Sequence, residues 1–182
     1  NYSIVSASSN ITQRPLNLSG SRAYDSTRTA SGSDLSFTNI VSGETLGLTG
    51  SGVLDSPAAG SRTIVNTNTL AISDGSGIAT NYTLTNGTLT MTIVPRPTTV
   101  SGTKTYDGTT NVASSNLTSF SNLAGSDTLS ISGTGTISSA DVGTGKIVNT
   151  SGLTIDNSSG VGSNYTLSAA TVIVTERVIG LS

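Results

Sequence analysis

Arg14-Pro15 returns as Arg96-Pro97, Ser19-Gly20 as Ser101-Gly102 and Tyr24-Asp25 as Tyr106-Asp107, each 82 positions later. Leu35 and Leu117 keep that offset, but Phe37 and Phe120 stand 83 apart, so the second copy carries one extra residue between these points. The longer offset then holds. Ile64-Val65-Asn66-Thr67 returns as Ile147-Val148-Asn149-Thr150, and Asn81-Tyr82-Thr83-Leu84 as Asn164-Tyr165-Thr166-Leu167. Asn1-Tyr2-Ser3-Ile4 is a third copy of that last motif. Solenoid coils repeat every 20–50 residues or so, and a period this long is instead the length of a small domain. The chain is therefore expected to be two tandem units, residues 14–95 and 96–182, preceded in 1–13 by the terminal strand of an earlier copy. A frame cut at Asn-Tyr, giving 1–80 and 81–163, fits the repeat as well. Pro95-Arg96-Pro97 favours the first frame, because proline cannot donate to a central ladder and so marks a junction.

Ser and Thr supply 32 and 31 of the 182 residues, Gly 21, and charged residues only 10%. Such a composition is compatible with disorder. The apolar residues argue otherwise. Leu16/Leu18, Leu46/Leu48, Leu70/Ile72, Tyr82/Leu84 and Leu89/Met91/Ile93 alternate with small polar residues at period two, the pattern of half-buried strands. Gly-Ser-Gly, Asp-Gly and Ser-Gly groups between them supply turns. No apolar period of 3.6 is sustained, and the best places for a helical turn are Asn111–Leu117 and its counterpart Thr29–Leu35. The expected fold is mainly β: two small β-rich domains, β-grasp-like or sandwich-like, arranged end to end, with at most one short helix each. All five Tyr and both Phe fall on repeated positions, which marks them as anchors of two small cores.

The absent residues exclude several chemistries. Without His or Cys there is no zinc or haem ligand set, no cysteine nucleophile, no Ser-His-Asp triad and no disulfide. Eight dispersed basic residues make no stripe for phosphate, which argues against nucleic acid. The longest apolar runs are far too short to insert in a bilayer.

Each remaining motif has a structural reading. Tyr106-Asp107-Gly108 and Tyr24-Asp25 read as turns in which Asp bonds nearby N–H groups, Gly takes positive φ and Tyr anchors the core. A ligand-contacting loop is the rival. Asn81 and Asn164 are expected to cap the loop entering the last strand, with sugar contact as the alternative. Asp74, Asp156 and Asn157 fall short of a calcium loop, since a hard cation wants six or more oxygens. Glu44 and Asp55, a conceivable acid–base pair, face Asp127 and Ser138 in the second copy. Lys104 and Lys146 face Arg22 and Thr63, so a lysine–asparagine cross-link would be missing from the first copy. Asn-x-Ser/Thr triplets such as those at Asn17, Asn86 and Asn116 are what so Ser/Thr-rich a chain produces by composition.

Arg-Pro, a short strand, Thr103-Lys104-Thr105-Tyr106-Asp107-Gly108-Thr109-Thr110, and Gly162-Ser163-Asn164-Tyr165-Thr166-Leu167 before a terminal strand together resemble the YDG-type repeat, related to MBG domains. The first copy departs in having Ser26 where the family has Gly. The resemblance spans nearly the whole chain. It implies tandem β-rich units of large bacterial surface adhesins, including filamentous-haemagglutinin-like proteins of two-partner secretion. It carries no catalytic residues and no cofactor. The expected role is an extracellular stalk supporting adhesion or biofilm formation, with neighbouring repeats as partners, and a host- or biofilm-glycan-binding module is the alternative. No catalytic, cofactor-binding or metal residue is expected. The structural motif residues are Tyr24, Asp25, Tyr106, Asp107, Gly108, Asn81, Tyr82, Asn164 and Tyr165.

Overall fold

The computed structural model describes residues 10–180. The expected terminal strand of 1–13, with Tyr2 and Ile4, lies for the most part outside them. Among the described residues there is no α-helix, only strands and four single 3-10 turns. Two of these, Gly32–Asp34 and Ser114–Asn116, fall inside the segments where a helical turn was expected. The other two, Ala79–Asn81 and Gly162–Asn164, immediately precede the repeated tyrosines Tyr82 and Tyr165.

The first copy contributes β1 (Arg14–Pro15), β2 (Leu18–Ala23), β3 (Thr29–Ser31), β4 (Leu35–Phe37), β5 (Leu46–Thr49), β6 (Ser51–Leu54), β7 (Gly60–Asn66), β8 (Ala71–Asp74), β9 (Tyr82–Thr83) and β10 (Thr90–Val94). The second contributes β11 (Arg96–Thr105), β12 (Asn111–Ala113), β13 (Leu117–Ser121), β14 (Leu129–Thr136), β15 (Gly143–Ile147), β16 (Leu153–Asn157) and β17 (Tyr165–Thr175). In the second copy the central sheet runs β13-β11-β17-β15. Its long first and last strands lie side by side and parallel, from Arg96↔Tyr165 to Thr105↔Thr175, with antiparallel neighbours outside. A second sheet, β12-β14-β16, is antiparallel. The first copy has the same neighbours, β4-β2-β10-β7, continued through β6 and β3 into one six-stranded sheet, with β5 and β8 paired separately.

The extra residue of the second copy is a β-bulge. Ser101 pairs with Ser119 and Gly102 with Leu117, so Thr118 is left over, whereas Ser19↔Ser36 and Gly20↔Leu35 are in regular register. Glycine is required beside it because a Cβ on Gly102 would stand 1.6 Å from the Asn116 carbonyl oxygen, and one on Gly20 1.9 Å from that of Asp34. Pro97 is not outside the ladder, contrary to the argument from proline. It is the second residue of β11, next to parallel β17, and antiparallel pairing with β13 begins only at Thr99. Its missing N–H therefore costs no ladder bond on that side.

The chain divides into two compact units. Among the described residues, one comprises 10–22, 28–56 and 61–92, and the other comprises 23–27, 57–60 and 93–180. The second unit thus includes two short pieces of the first copy's sequence. Its core is Val100, Val112, Leu117, Ile137, Val148, Ala170, Val172 and Val174, with Phe120, Ile131, Leu153 and Leu167 packed against it. In β17, Val172 and Val174 are 1% exposed while Ile173 between them is 43% exposed, so the pleat imposes period-two burial on a run that is apolar throughout in sequence. In the first unit Leu16, Leu18, Leu54 and Met91 are fully buried. Each such side chain contributes roughly 1.5–3 kcal/mol by leaving water.

Candidate functional site

The polar residues of this Ser/Thr-rich chain concentrate their most specific contacts around the repeated tyrosines. In the second unit the 3-10 turn Gly162–Asn164 delivers Tyr165 into the start of β17, 5% exposed. The Asn157 amide oxygen holds that turn by accepting the Gly162 N–H at 2.7 Å. In the first unit Asp74 does the same for Ala79, also at 2.7 Å. The caps expected of Asn81 and Asn164 are therefore supplied by Asp74 and Asn157, because a side-chain acceptor reaches the first N–H of a turn from a few residues upstream. Asn164 is buried, and its Oδ1 accepts the Ala59 N–H at 2.8 Å. Asn81 is exposed.

Tyr165 donates its hydroxyl proton to Asp127 Oδ2 at 2.7 Å and accepts the Ala124 N–H at 3.0 Å. Tyr24 lies edge-on to it, ring centroids 5.4 Å apart at 76°, and donates to the same Asp127 oxygen at 3.0 Å. Such T-shaped pairs stabilise by about 0.5–1.5 kcal/mol beyond the area they bury. Burial pushes the Tyr165 hydroxyl up to about 12, with the Ala124 N–H opposing it and the Asp127 carboxylate adding to it, and burial followed by Asp127 raises Tyr24. Arg96 closes the site. Its Nη1 donates to the Tyr24 carbonyl at 3.3 Å, and its Nε and Nη2 each reach Asn122 at 2.8 Å.

The first unit builds the same group with different contents. Tyr82, 4% exposed, donates to Glu44, which raises its hydroxyl pKa, while the Val41 N–H donates to that hydroxyl. Arg14 Nε donates to the Asn39 carbonyl at 3.0 Å, as Arg96 does to Asn122. These residues border a cleft of about 490 Å³ lined by Ile11, Arg14, Val41, Glu44, Asn81 and Tyr82, among others.

The Tyr-Asp turns were read correctly in their backbone and only half correctly in their tyrosines. Asp25 Oδ1 accepts Thr27 N–H at 2.8 Å and its hydroxyl at 2.9 Å, and Asp107 Oδ1 accepts both from Thr109 at 2.9 Å. The residue between is left-handed in both, Ser26 at φ 65° and Gly108 at φ 77°, so serine occupies the family's glycine position without changing the turn. Tyr24 is buried, but Tyr106 is 40% exposed and is not a core anchor. The sequence could not separate them, because the turn points its ring away from its own repeat's core and burial depends on what lies beyond it. Lys104 is the core-side partner the sequence reading missed. It is 3% exposed, with Nζ bonded to the Thr109 and Asn111 carbonyls at 2.8 and 2.5 Å and to Asp107 at 2.8 Å. Lys104, then the Thr109 N–H and hydroxyl, hold Asp107 at about 2.

Glu44 and Asp55 do not form a carboxylate pair: Glu44 is committed to Tyr82 and Asp55 to the Thr63 N–H. Among the described residues no group of three or more acids stands close enough to hold a metal ion.

Two copies of one mixed β-sheet, each closed by the same tyrosine–carboxylate pair, define a tandem-repeat β protein. The YDG domain model matches residues 10–91 and 88–172, and the chain belongs to that family. No curated protein and no solved structure matches it.

Proposed function

We propose that this chain is a non-catalytic stalk segment of a large bacterial cell-surface adhesin, outside the cell, serving adhesion or biofilm formation by holding other parts of its protein at a distance. One observation carries the reading: the two copies repeat what folding needs and vary what a binding face would keep. The Asp25 and Asp107 turns, the Tyr82–Glu44 and Tyr165–Asp127 pairs and the Asp74 and Asn157 caps recur. Arg28, Asp55 and Arg62, in contrast, face Thr110, Ser138 and Gly145. A stalk needs solubility without edge-to-edge association, and a Ser/Thr surface interrupted by bulged strands suits that need.

Exposed Tyr106 favours a second reading, in which the chain is a glycan-binding module, since sugars stack on exposed rings. Calorimetry of the whole chain with glycans, matrix proteins and Ca²⁺ at millimolar concentration separates the two. The stalk reading expects no saturable heat. Saturable binding abolished by Tyr106→Ala would establish the module instead.

A further inference from the structure

We propose that the Glu44–Tyr82 cleft of the first unit receives the Tyr-Asp turn of another YDG repeat, with Tyr106-Asp107-Gly108 as the matching insert, so that copies of this chain associate head to tail. The two units hold two versions of one pocket. In the second unit the pocket formed by Asp127, Tyr165, Ala124 and Arg96 is filled by Tyr24. In the first unit the equivalent residues are Glu44, Tyr82, Val41 and Arg14, and among the described residues no second ring packs on Tyr82.

The insert is preformed. The Tyr106 turn has the same Asp-centred hydrogen bonds and the same left-handed third residue as the Tyr24 turn. Its backbone is fixed in the same way: Tyr24 N–H donates to the Val94 carbonyl and Tyr106 N–H to that of Thr175, both at 2.9 Å. A second piece accompanies it. Segment 57–60 belongs to the second unit and gives its Ala59 N–H to Asn164. The position equivalent to Ala59 is Val142, 50% exposed, and that equivalent to Asn164 is Asn81, also exposed. The receptor in turn shows apolar side chains to water: Val41, 43% exposed, stands where Ala124 is 4% exposed.

The contacts are complementary in size as well as in kind. Ser26 can approach the second unit's pocket because position 125 is glycine, where a Cβ would lie 2.7 Å from the Ser26 Oγ. The first unit has Ser42 at that position, and the free turn has Gly108 in place of Ser26. The bulky and the small partner are exchanged together. An incoming Tyr106 would donate its hydroxyl to Glu44 as Tyr24 does to Asp127, and Arg14 would take the turn carbonyl as Arg96 does. A contact between two different faces of one molecule is heterologous, and it adds copy after copy wherever its rotation does not close a ring.

Sedimentation of the full chain up to about millimolar tests this. Wild type should form a ladder of oligomers that lengthens with concentration. Tyr106→Ser removes the insert and Val41→Lys blocks the receptor. Both side chains are exposed, so both variants should keep the wild-type circular dichroism and melting, and each alone should be monomeric. Mixed in equal amounts they should give a dimer and nothing longer. Because the chain has no cysteine, Val142→Cys mixed with Asn81→Cys should also oxidise to a heterodimer far above an exposed control pair, Val65→Cys with Asn81→Cys. A wild type that stays monomeric and gives no heterodisulfide above control, or oligomers that survive both single variants, would overturn the proposal. No other molecule is present in these experiments, so their failure would leave the stalk reading untouched.

Discussion

Tyr24 and Tyr106 close identical turns, yet one is 5% exposed and the other 40%. The turn is therefore a local device, fixed by Asp, Thr and a left-handed residue, and it would form whether or not its ring is covered. What the ring contributes is decided elsewhere, by whether a carboxylate–tyrosine pair lies against it. A repeated residue can thus have one conformation and two energetic roles.

Removing each ring sharpens that contrast most. Tyr165→Ala strips the ring that Asp127, Ala124 and Tyr24 all contact, and should destabilise the second unit by about 3–5 kcal/mol, read as a lower denaturant midpoint. Tyr24→Ala should cost about 3 kcal/mol, while Tyr106→Ala should stay within about 0.5 kcal/mol, the usual range for an exposed position. Equal costs at Tyr24 and Tyr106 would break the comparison.

Charge gives the next test. Asp107 is held at about 2 against an ordinary 3.8. A depressed carboxylate contributes stability that is whole above 3.8 and fades as the pH falls from there through 2. Lys104→Met should flatten that acid limb of the melting curve. Tyr165 has the opposite sign: with its hydroxyl raised to about 12, its contribution is whole below pH 10 and is lost as the pH rises from 10 through 12. Alkaline unfolding should therefore coincide with the appearance of tyrosinate absorbance.

The smallest effect lies at the turn itself. Gly108→Ala, forced to keep φ near 77°, should cost about 1 kcal/mol, and Ser26→Gly should relieve about as much in the first turn. Thermal melts of the two variants should move in opposite directions.

Much of this was legible beforehand, and the reason is physical. Strand alternation, as in Leu89/Met91/Ile93, is a local consequence of the pleat, and the Asp-x-Thr turn is a local hydrogen-bond pattern. The extra residue of the second copy was visible as a change of offset, but only the register could show it as a bulge at Thr118. The exposure of Tyr106 is not legible in the sequence, because recurrence marks a role in the repeat without saying whether that role lies inside it. Asn81 and Asn164 stand nearest the tyrosines in sequence, but Asp74 and Asn157, several residues upstream, make the capping bond. The sequence offers Asp55 rather than Tyr82 as the companion of Glu44, since nothing in sequence spacing announces a partner 38 positions away.

Nitration of the folded chain, followed by mass mapping of the modified peptides, tests the central contrast most directly. Tyr106 should be modified rapidly, while Tyr24, Tyr82 and Tyr165 stay protected until the chain unfolds. Modification of Tyr24 at the rate of Tyr106 in the folded protein would contradict the account.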